Sequence, residues 1–352
     1  MSLTDLTERE RRILEAVIQS YVETAEPAGS RTLARRFGLG VSPATIRNTL
    51  SDLEEKGYLF HPHTSAGRIP TDRAYRMYVD SLVQMTPLAP LAEQERDQLV
   101  ERILAGGSAI ETVLRCAAQS VGILTQELGV ALGPRLDEIV LDRLELVRLS
   151  AERLLMVLTL RGGAMRTIFV EAPGSLADEA IAEVTVVLNE RLAGLKLREI
   201  RTSSAERLRD GVVGGRPAAR ELLNIFVQEA DTVFDVPIAH DDDGVVLGQA
   251  SVLAEQPEFA SGDSLRRLIE LTETRQDLAE LLRQRSTKPG ISITIGNEHA
   301  DPRLGNLTIV TAEYRAGPLT GVIGVIGPTR MPYEKVISLV GHTSRLVTDL
   351  LG

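Results

Sequence analysis

Apolar residues open the chain at helical spacing. Ile13, Leu14, Val17, Ile18, Tyr21 and Val22 fall on one stripe, which predicts an amphipathic helix over residues 7–24. Pro27 and Gly29, in AEPAGS, break the pattern. Ser30 reads as the N-cap of a short second helix whose inner face is Leu33, Ala34 and Phe37. Gly38-Leu39-Gly40-Val41 is a tight turn. Ser42 then caps a third helix with Pro43 at its first position, where a missing N–H costs little. Ile46, Leu50 and Leu53 point inward, while Thr45, Arg47, Asn48 and Ser51 fall largely off that stripe. The helix ends at Lys56-Gly57, and Tyr58, Leu59 and Phe60 begin a strand. Helix, short helix, turn, longer helix, strand and polar loop is the order of a winged helix-turn-helix. One helix enters a major groove about 12 Å wide and another braces it.

The polar loop, HPHTSAGRIPTDRAYR over residues 61–76, takes the place of the wing. Pro62 and Pro70 bound it, and Gly67 is expected to give the tip backbone freedom. Thr64, Ser65 and Arg68 offer hydroxyls and a guanidinium suited to phosphates or a minor groove. A helix follows from Thr71, with Tyr75, Tyr78, Val79 and Leu82 spaced for burial. QMTPLAPLAE (84–93) marks a domain boundary, since Pro87 and Pro90 interrupt the spacing. Helices are predicted near 91–105 and 109–129. Strands follow at 139–149, 154–160 and 166–171, with Gly162-Gly163 as a hairpin turn. A helix near 176–193, a loop at 211–217 and a helix from Pro217 carrying Leu222, Leu223, Phe226 and Val233 come next. A turn at 240–244 leads to a strand over 245–253 and a long helix over 263–285. Ile291, Ile293 and Ile295 alternate with Ser292 and Thr294 as a half-buried strand; strands at 305–315 and 319–327 precede a final helix bearing Val336, Leu339, Val340, Leu346, Val347 and Leu350. This order predicts an α+β multidomain protein, not an alternating nucleotide-binding fold.

Charge sharpens the reading of the first domain. The 352 residues carry a formal net charge of -10. Residues 1–80 hold 11 Lys/Arg and 11 Asp/Glu, so the acidity lies wholly in the remainder. Residues 31–51 contain Arg31, Arg35, Arg36 and Arg47 and no acid, as expected of a DNA-binding head on an acidic body. Arg47 has the fork to pair with guanine and Asn48 the amide to pair with adenine. A plain solvated helix face is the competing account. No run of eighteen apolar residues and no apolar signal core occur, so a cytoplasmic protein without a membrane span is expected.

Other candidate chemistry is thin. Cys116 is the only cysteine, in an apolar helical context, and is expected to be a small core residue. His61 and His63, two apart, lack a nearby third ligand for a metal. HDDDG (240–244) has Ala239 and Ala250 where a calcium loop needs acids. The evenly spaced glycines of GVIGVIG (321–327) suit close strand packing better than a dinucleotide turn. Neither HExxH nor GxSxG occurs. The expectation is therefore no enzyme, no cofactor and no metal. An α+β body that binds a small effector, making the chain a metabolite-responsive regulator, stays open, and an enzyme with a DNA-binding accessory head ranks below it.

Three strings carry a resemblance: ATIRNTLSDLEEKGYL running into PHTSAGRIPTDRAYRMYVD (44–80), ISITIGNE (291–298) and GVIGVIGPTRMPYEKVISLV (321–340). The whole chain resembles the heat-inducible transcription repressor family, HrcA. The resemblance implies a winged helix-turn-helix at 1–83 and a GAF-like α+β domain in two parts, 84–172 and 256–352. It also implies a dimerisation domain inserted at about 173–255. It further implies a homodimer on the inverted-repeat CIRCE operator of chaperone genes, kept competent by the chaperonin and released on heating, with no small-molecule cofactor. Thr45, Arg47 and Asn48 would read bases. Arg31, Ser42, Thr64, Ser65 and Arg68 would hold phosphates or enter the minor groove. Phe60 and His61 make the approach to the wing bulkier than the family's pattern.

Overall fold

Thr7 starts the first helix, α1 (Glu8–Thr24), with a reciprocal cap. Its hydroxyl accepts the Glu10 N–H at 3.3 Å, and its own N–H donates to the Glu10 carboxylate at 2.7 Å. Ala25, in the left-handed region at φ 56°, ends it. The second helix, α2 (Ser30–Phe37), is capped by Gly29 and not by Ser30; Ser30 is already helical and buried, so its hydroxyl caps nothing. For α3 (Pro43–Glu55), Ser42 accepts the Thr45 N–H at 3.1 Å, as the sequence predicts. Two short antiparallel strands, β1 (Leu59–Phe60) and β2 (Ile69–Pro70), flank the wing, and α4 (Asp72–Gln84) follows.

In this computed structural model the described residues are 6–63, 66–84, 90–104, 110–134, 139–161, 165–172, 174, 176–209, 216–228, 244–260, 266, 270, 273–285, 290–317 and 319–351. They belong to two compact units: Met1–Leu132, Val245–Tyr314 and Val322–Leu350 form one, and Gly133–Gly244, Arg315–Gly321 and Leu351–Gly352 the other. The winged helix thus shares a unit with α5 (Glu93–Leu104), α6 (Ile110–Thr125), the five-stranded sheet and the final helix α12 (Tyr333–Leu351).

That sheet runs in the order β7 (Val245–Leu247), β3 (Leu128–Leu132), β10 (Leu319–Pro328), β9 (Leu307–Ala316), β8 (Ile291–Ile295). β3 pairs antiparallel with both β7 and β10. The sequence pattern carries residues 109–129 as one helix, and β3 corrects this. Gln126 turns left-handed at φ 62° and the chain reverses onto α6. Backbone contact replaces side-chain packing there: a Cβ on Gly129 would lie 1.8 Å from the Ala118 carbonyl oxygen. Every residue of β3 is buried, so it shows no alternation to read. Two further expectations change. The strand at 245–253 stops at Leu247 and gives way to α10 (Ser251–Ala254). The helix over 263–285 is broken at Thr274 (φ -85°, ψ 65°) before α11 (Arg275–Arg283). The glycines of GVIGVIG do serve close packing. A Cβ on Gly324 would meet the Val310 carbonyl at 2.1 Å, and one on Gly327 the Glu127 carboxylate at 2.0 Å.

The second unit is a three-stranded antiparallel meander, β4 (Leu141–Arg148), β5 (Arg153–Leu160) and β6 (Met165–Glu171), with α7 (Asp178–Leu192), α8 (Leu197–Arg209) and α9 (Pro217–Gln228). Alternation works here: Leu154, Met156, Leu158 and Leu160 face the helices and are buried. Asn189 of α7 staples the sheet, accepting the Leu144 N–H at 2.8 Å and donating to its carbonyl at 2.7 Å. α8 was absent from the sequence pattern. The meander joins these helices in one unit, whereas the boundary expected at 173 separates them. The Gly162-Gly163 turn, Val233 and residues 240–243 lie outside the described residues.

Candidate nucleic-acid interface

α3 carries the candidate reading surface. Ile46, Thr49, Leu50 and Leu53 are buried against α1 and the rest of the head, which fixes the rotation of the helix. Arg47 and Asn48 are consequently exposed on the opposite side, and Ser42 and Ala44 are exposed at its start. Thr45 is half-buried, and its hydroxyl lies 3.0 Å from that of Ser42. The Ser42 hydroxyl is therefore engaged in capping, which leaves the backbone N–H groups of the first turn and the helix dipole as the features able to meet an anion at this end. Arg31 is exposed on α2. Among the described residues no carboxylate pairs with Arg31, Arg35 or Arg47. Arg36 instead pairs with Glu23 and stacks over the Phe37 ring at 5.5 Å.

The wing is built differently from the sequence expectation. Arg68, expected as an open phosphate or minor-groove group, is turned inward. Its guanidinium pairs with Glu54 of α3 at 2.7 Å, and its Nε is buried without a partner. The His61 imidazole closes on the same carboxylate. Glu54 thus clamps both sides of the wing to α3. Gly67 does not serve freedom at the tip. Its φ is not in the left-handed region, and a Cβ there would lie 2.5 Å from the Pro27 carbonyl oxygen and 2.6 Å from that of Ala28. The close approach lets Ala28 and Arg68 exchange backbone hydrogen bonds of 2.9 and 3.0 Å. His63 is exposed, and its carbonyl accepts the Ala66 N–H at 2.9 Å. Thr64 and Ser65 lie outside the described residues.

Behind the wing, the Thr71 hydroxyl donates to the Gly57 carbonyl at 2.9 Å. Arg73 donates to the Lys56 carbonyl at 2.6 Å and covers the Tyr58 ring at 4.4 Å. Lys56 reaches back to Glu10 at 2.9 Å. The sequence reading missed Glu54, although a signal was present. α3 ends in SDLEE with no basic residue in its last turn, which opposes the helix dipole. Acids placed against that rule have work elsewhere, here on Arg68 and His61. Among the described residues no group of three or more His, Cys, Asp or Glu is placed to hold a metal ion. Cys116 is half-buried on α6 and not a core residue. No helix among the described residues is long and apolar enough to cross a membrane.

Comparison with known proteins agrees with this arrangement. The family model described as LexA DNA binding domain matches residues 3–67. The model described as HrcA protein C terminal domain matches residues 111–337. The chain is 36% identical to a heat-inducible transcription repressor HrcA of Chlorobium chlorochromatii, over 100% of this chain and 99% of that one. It is 38% identical to the protein of the same name from Chlorobium phaeobacteroides, over 100% of both. The corresponding Geobacter sulfurreducens protein is 37% identical over 99% of each. A crystal structure of a hypothetical protein shares the fold across 99% of both chains, with a TM-score of 0.67 at 20% identity. A winged-helix head followed by an α+β body, matched over its full length by these relatives, places the chain in the heat-inducible transcription repressor HrcA family.

Proposed function

We propose that this protein represses heat-inducible chaperone genes by binding the inverted-repeat CIRCE operator as a homodimer. The observation that carries the reading is the exposed surface of residues 31–51, a stretch without an acid, where Arg31, Arg47 and Asn48 project from helices whose other faces are buried. In this reading Arg47, Asn48 and Thr45 meet base edges. Arg31 and the N-terminal turn of α3 at Ser42 hold phosphates, and Thr64 and Ser65 of the wing meet the backbone or minor groove. Arg68 acts with Glu54 to set the wing's angle.

A dimer is supported by the outer face of the second unit's sheet. Phe169 is 70% exposed and Met165 65%, with Val147 also exposed, while Leu155 and Val157 lie on the same face. Apolar side chains gathered on one sheet face suit an interface between copies. A twofold dimer meets identical half-sites of an inverted repeat. The family resemblance supports release on heating and maintenance by the chaperonin.

Arg47→Ala tests base reading. If Arg47 makes a bidentate contact, about 1–3 kcal/mol of discrimination between operator and scrambled DNA is lost in a gel shift. Equal weakening on both duplexes reduces Arg47 to a phosphate contact. Operator occupancy measured against temperature, with and without chaperonin, tests control. Unchanged occupancy and recovery in the presence of chaperonin refute that part.

A further inference from the structure

The last turn of α1 has no basic residue of its own. Its carbonyls, left without intrahelical partners, carry the negative end of the dipole. The cation comes from the other end of the chain. Arg330, between β10 and α12, donates from Nη1 to the Val22 carbonyl at 2.6 Å. Its remaining edge forms a fork on Glu258, at 2.5 Å from Nε and 3.1 Å from Nη2. Glu258 lies on a short turn, Pro257–Phe259. One residue before that turn, Gln256 donates to the Gln126 carbonyl at 2.7 Å and to the buried Glu127 carboxylate at 3.1 Å. Polar contacts from the segment Gln256–Glu258 therefore reach both the residues just before β3 and, through Arg330, the end of a head helix.

A second tie lies on α4. Asp72 accepts the Asn297 N–H at 2.9 Å and its side-chain amide at 2.8 Å. Arg76 donates to the Ile293 carbonyl at 2.8 Å and holds Glu298. Between the two ties lie apolar contacts, including the Tyr75 and Tyr333 rings at 5.6 Å. Apolar contact has no preferred direction and tolerates small rotations. A bidentate arginine fork has a fixed plane and does not. A rotation of the head about α4 would have to break the Arg330 fork as well as shift the apolar contacts, so Arg330 opposes that pivot.

We propose that Arg330, held by Glu258, is a positioning residue for operator recognition: it fixes the angle of the winged helix on its body, so that a dimer accepts only one half-site spacing. The inference rests on the reading of twofold binding to an inverted repeat. Its role is in the phase between two heads and not in the affinity of either for its half-site.

The test uses the full-length protein and three labelled duplexes: the operator, the operator with its spacer lengthened by about five base pairs (half a helical turn), and a single half-site. Fluorescence anisotropy gives the affinities. The wild type should prefer the native spacing. Arg330→Met and Glu258→Gln should each reduce that preference by at least about fivefold, with half-site binding unchanged. The Glu258→Gln variant keeps the Arg330 contact to Val22 and carries the test if Arg330→Met fails to fold. An unchanged preference in the folded variants overturns the proposal, as does an equal loss on all three duplexes, which would make the pair merely structural. A wild type indifferent to spacing overturns the twofold reading itself.

Discussion

Gly67→Ala adds one methyl group at the tightest point of the head. That carbon would stand 2.5 Å from the Pro27 carbonyl oxygen and 2.6 Å from both the carbon and the oxygen of the Ala28 carbonyl. All three are backbone atoms, so no side chain can swing aside. Relief requires the wing to lift by at least about half an ångström. The adjoining pair of hydrogen bonds between Ala28 and Arg68, 2.9 and 3.0 Å long, stretches first. Each contributes about 1 kcal/mol net. Ala28 is buried, so its freed polar groups gain water only if the wing opens. Together these effects predict a destabilisation of about 2 kcal/mol, concentrated in the wing. Urea unfolding measures the total, and amide hydrogen exchange at Ala28 and Arg68 locates it. Operator affinity should fall with it, because the wing leaves its place beside α3. A variant that unfolds like the wild type and keeps both amides protected would refute the close-approach account of this glycine.

Other substitutions probe separate links. Glu54→Gln removes the charge that holds Arg68 and His61, so amide exchange at residues 66–69 should quicken while α3 keeps its protection; unchanged exchange would mean the wing is held by its backbone alone. Burial pushes the Glu127 carboxyl well above the usual carboxylate range. The folded protein therefore keeps this proton where the unfolded chain has lost it. Stability falls as pH rises from its ordinary value near 4.5 toward the raised value, by up to about 1.4 kcal/mol per pH unit. Glu127→Gln mimics the protonated form, so its stability advantage over the wild type should grow with pH, and a constant difference across a urea series at several pH values would refute this. Phe169→Asp places a charge on the exposed sheet face and should shift the oligomeric state toward monomer in analytical ultracentrifugation; an unchanged sedimentation profile would exclude that face as the dimer contact.

The head was legible because its signals are local. The Ser42 cap, a proline at the first helical position and an inward stripe of Ile46, Leu50 and Leu53 all act within a few turns, and each agrees with the next. β3 was not legible, for its five residues are buried on both faces and follow an apolar helix without a polar break. The reversal depends on Gln126 turning left-handed and on glycine-to-backbone contact, neither of which leaves a periodic trace. At the site, Arg47 and Asn48 could be placed by rotation about a buried stripe. Arg68 could not, because its partner Glu54 meets it only once the wing has folded back. The same holds for Arg330 and Val22, which are distant in sequence and share no motif.

The bond from Arg330 to Val22 spans 308 residues, and β3 finds β10 only after nearly two hundred more residues have been made. Loop closure over such distances comes late in folding. A ribosome still translating the message therefore carries head helices that lack the Arg330 fork and the side chains of α12 packed against them. If Arg330 sets the angle of the head, such a nascent chain has no fixed bearing on DNA. Competence to repress then arrives with the last few dozen residues, after release of the whole polypeptide. A truncated product stopping before residue 330 would lack both the Arg330 fork and the α12 side chains that complete the buried cluster of the head, and should compete poorly with the finished protein for DNA.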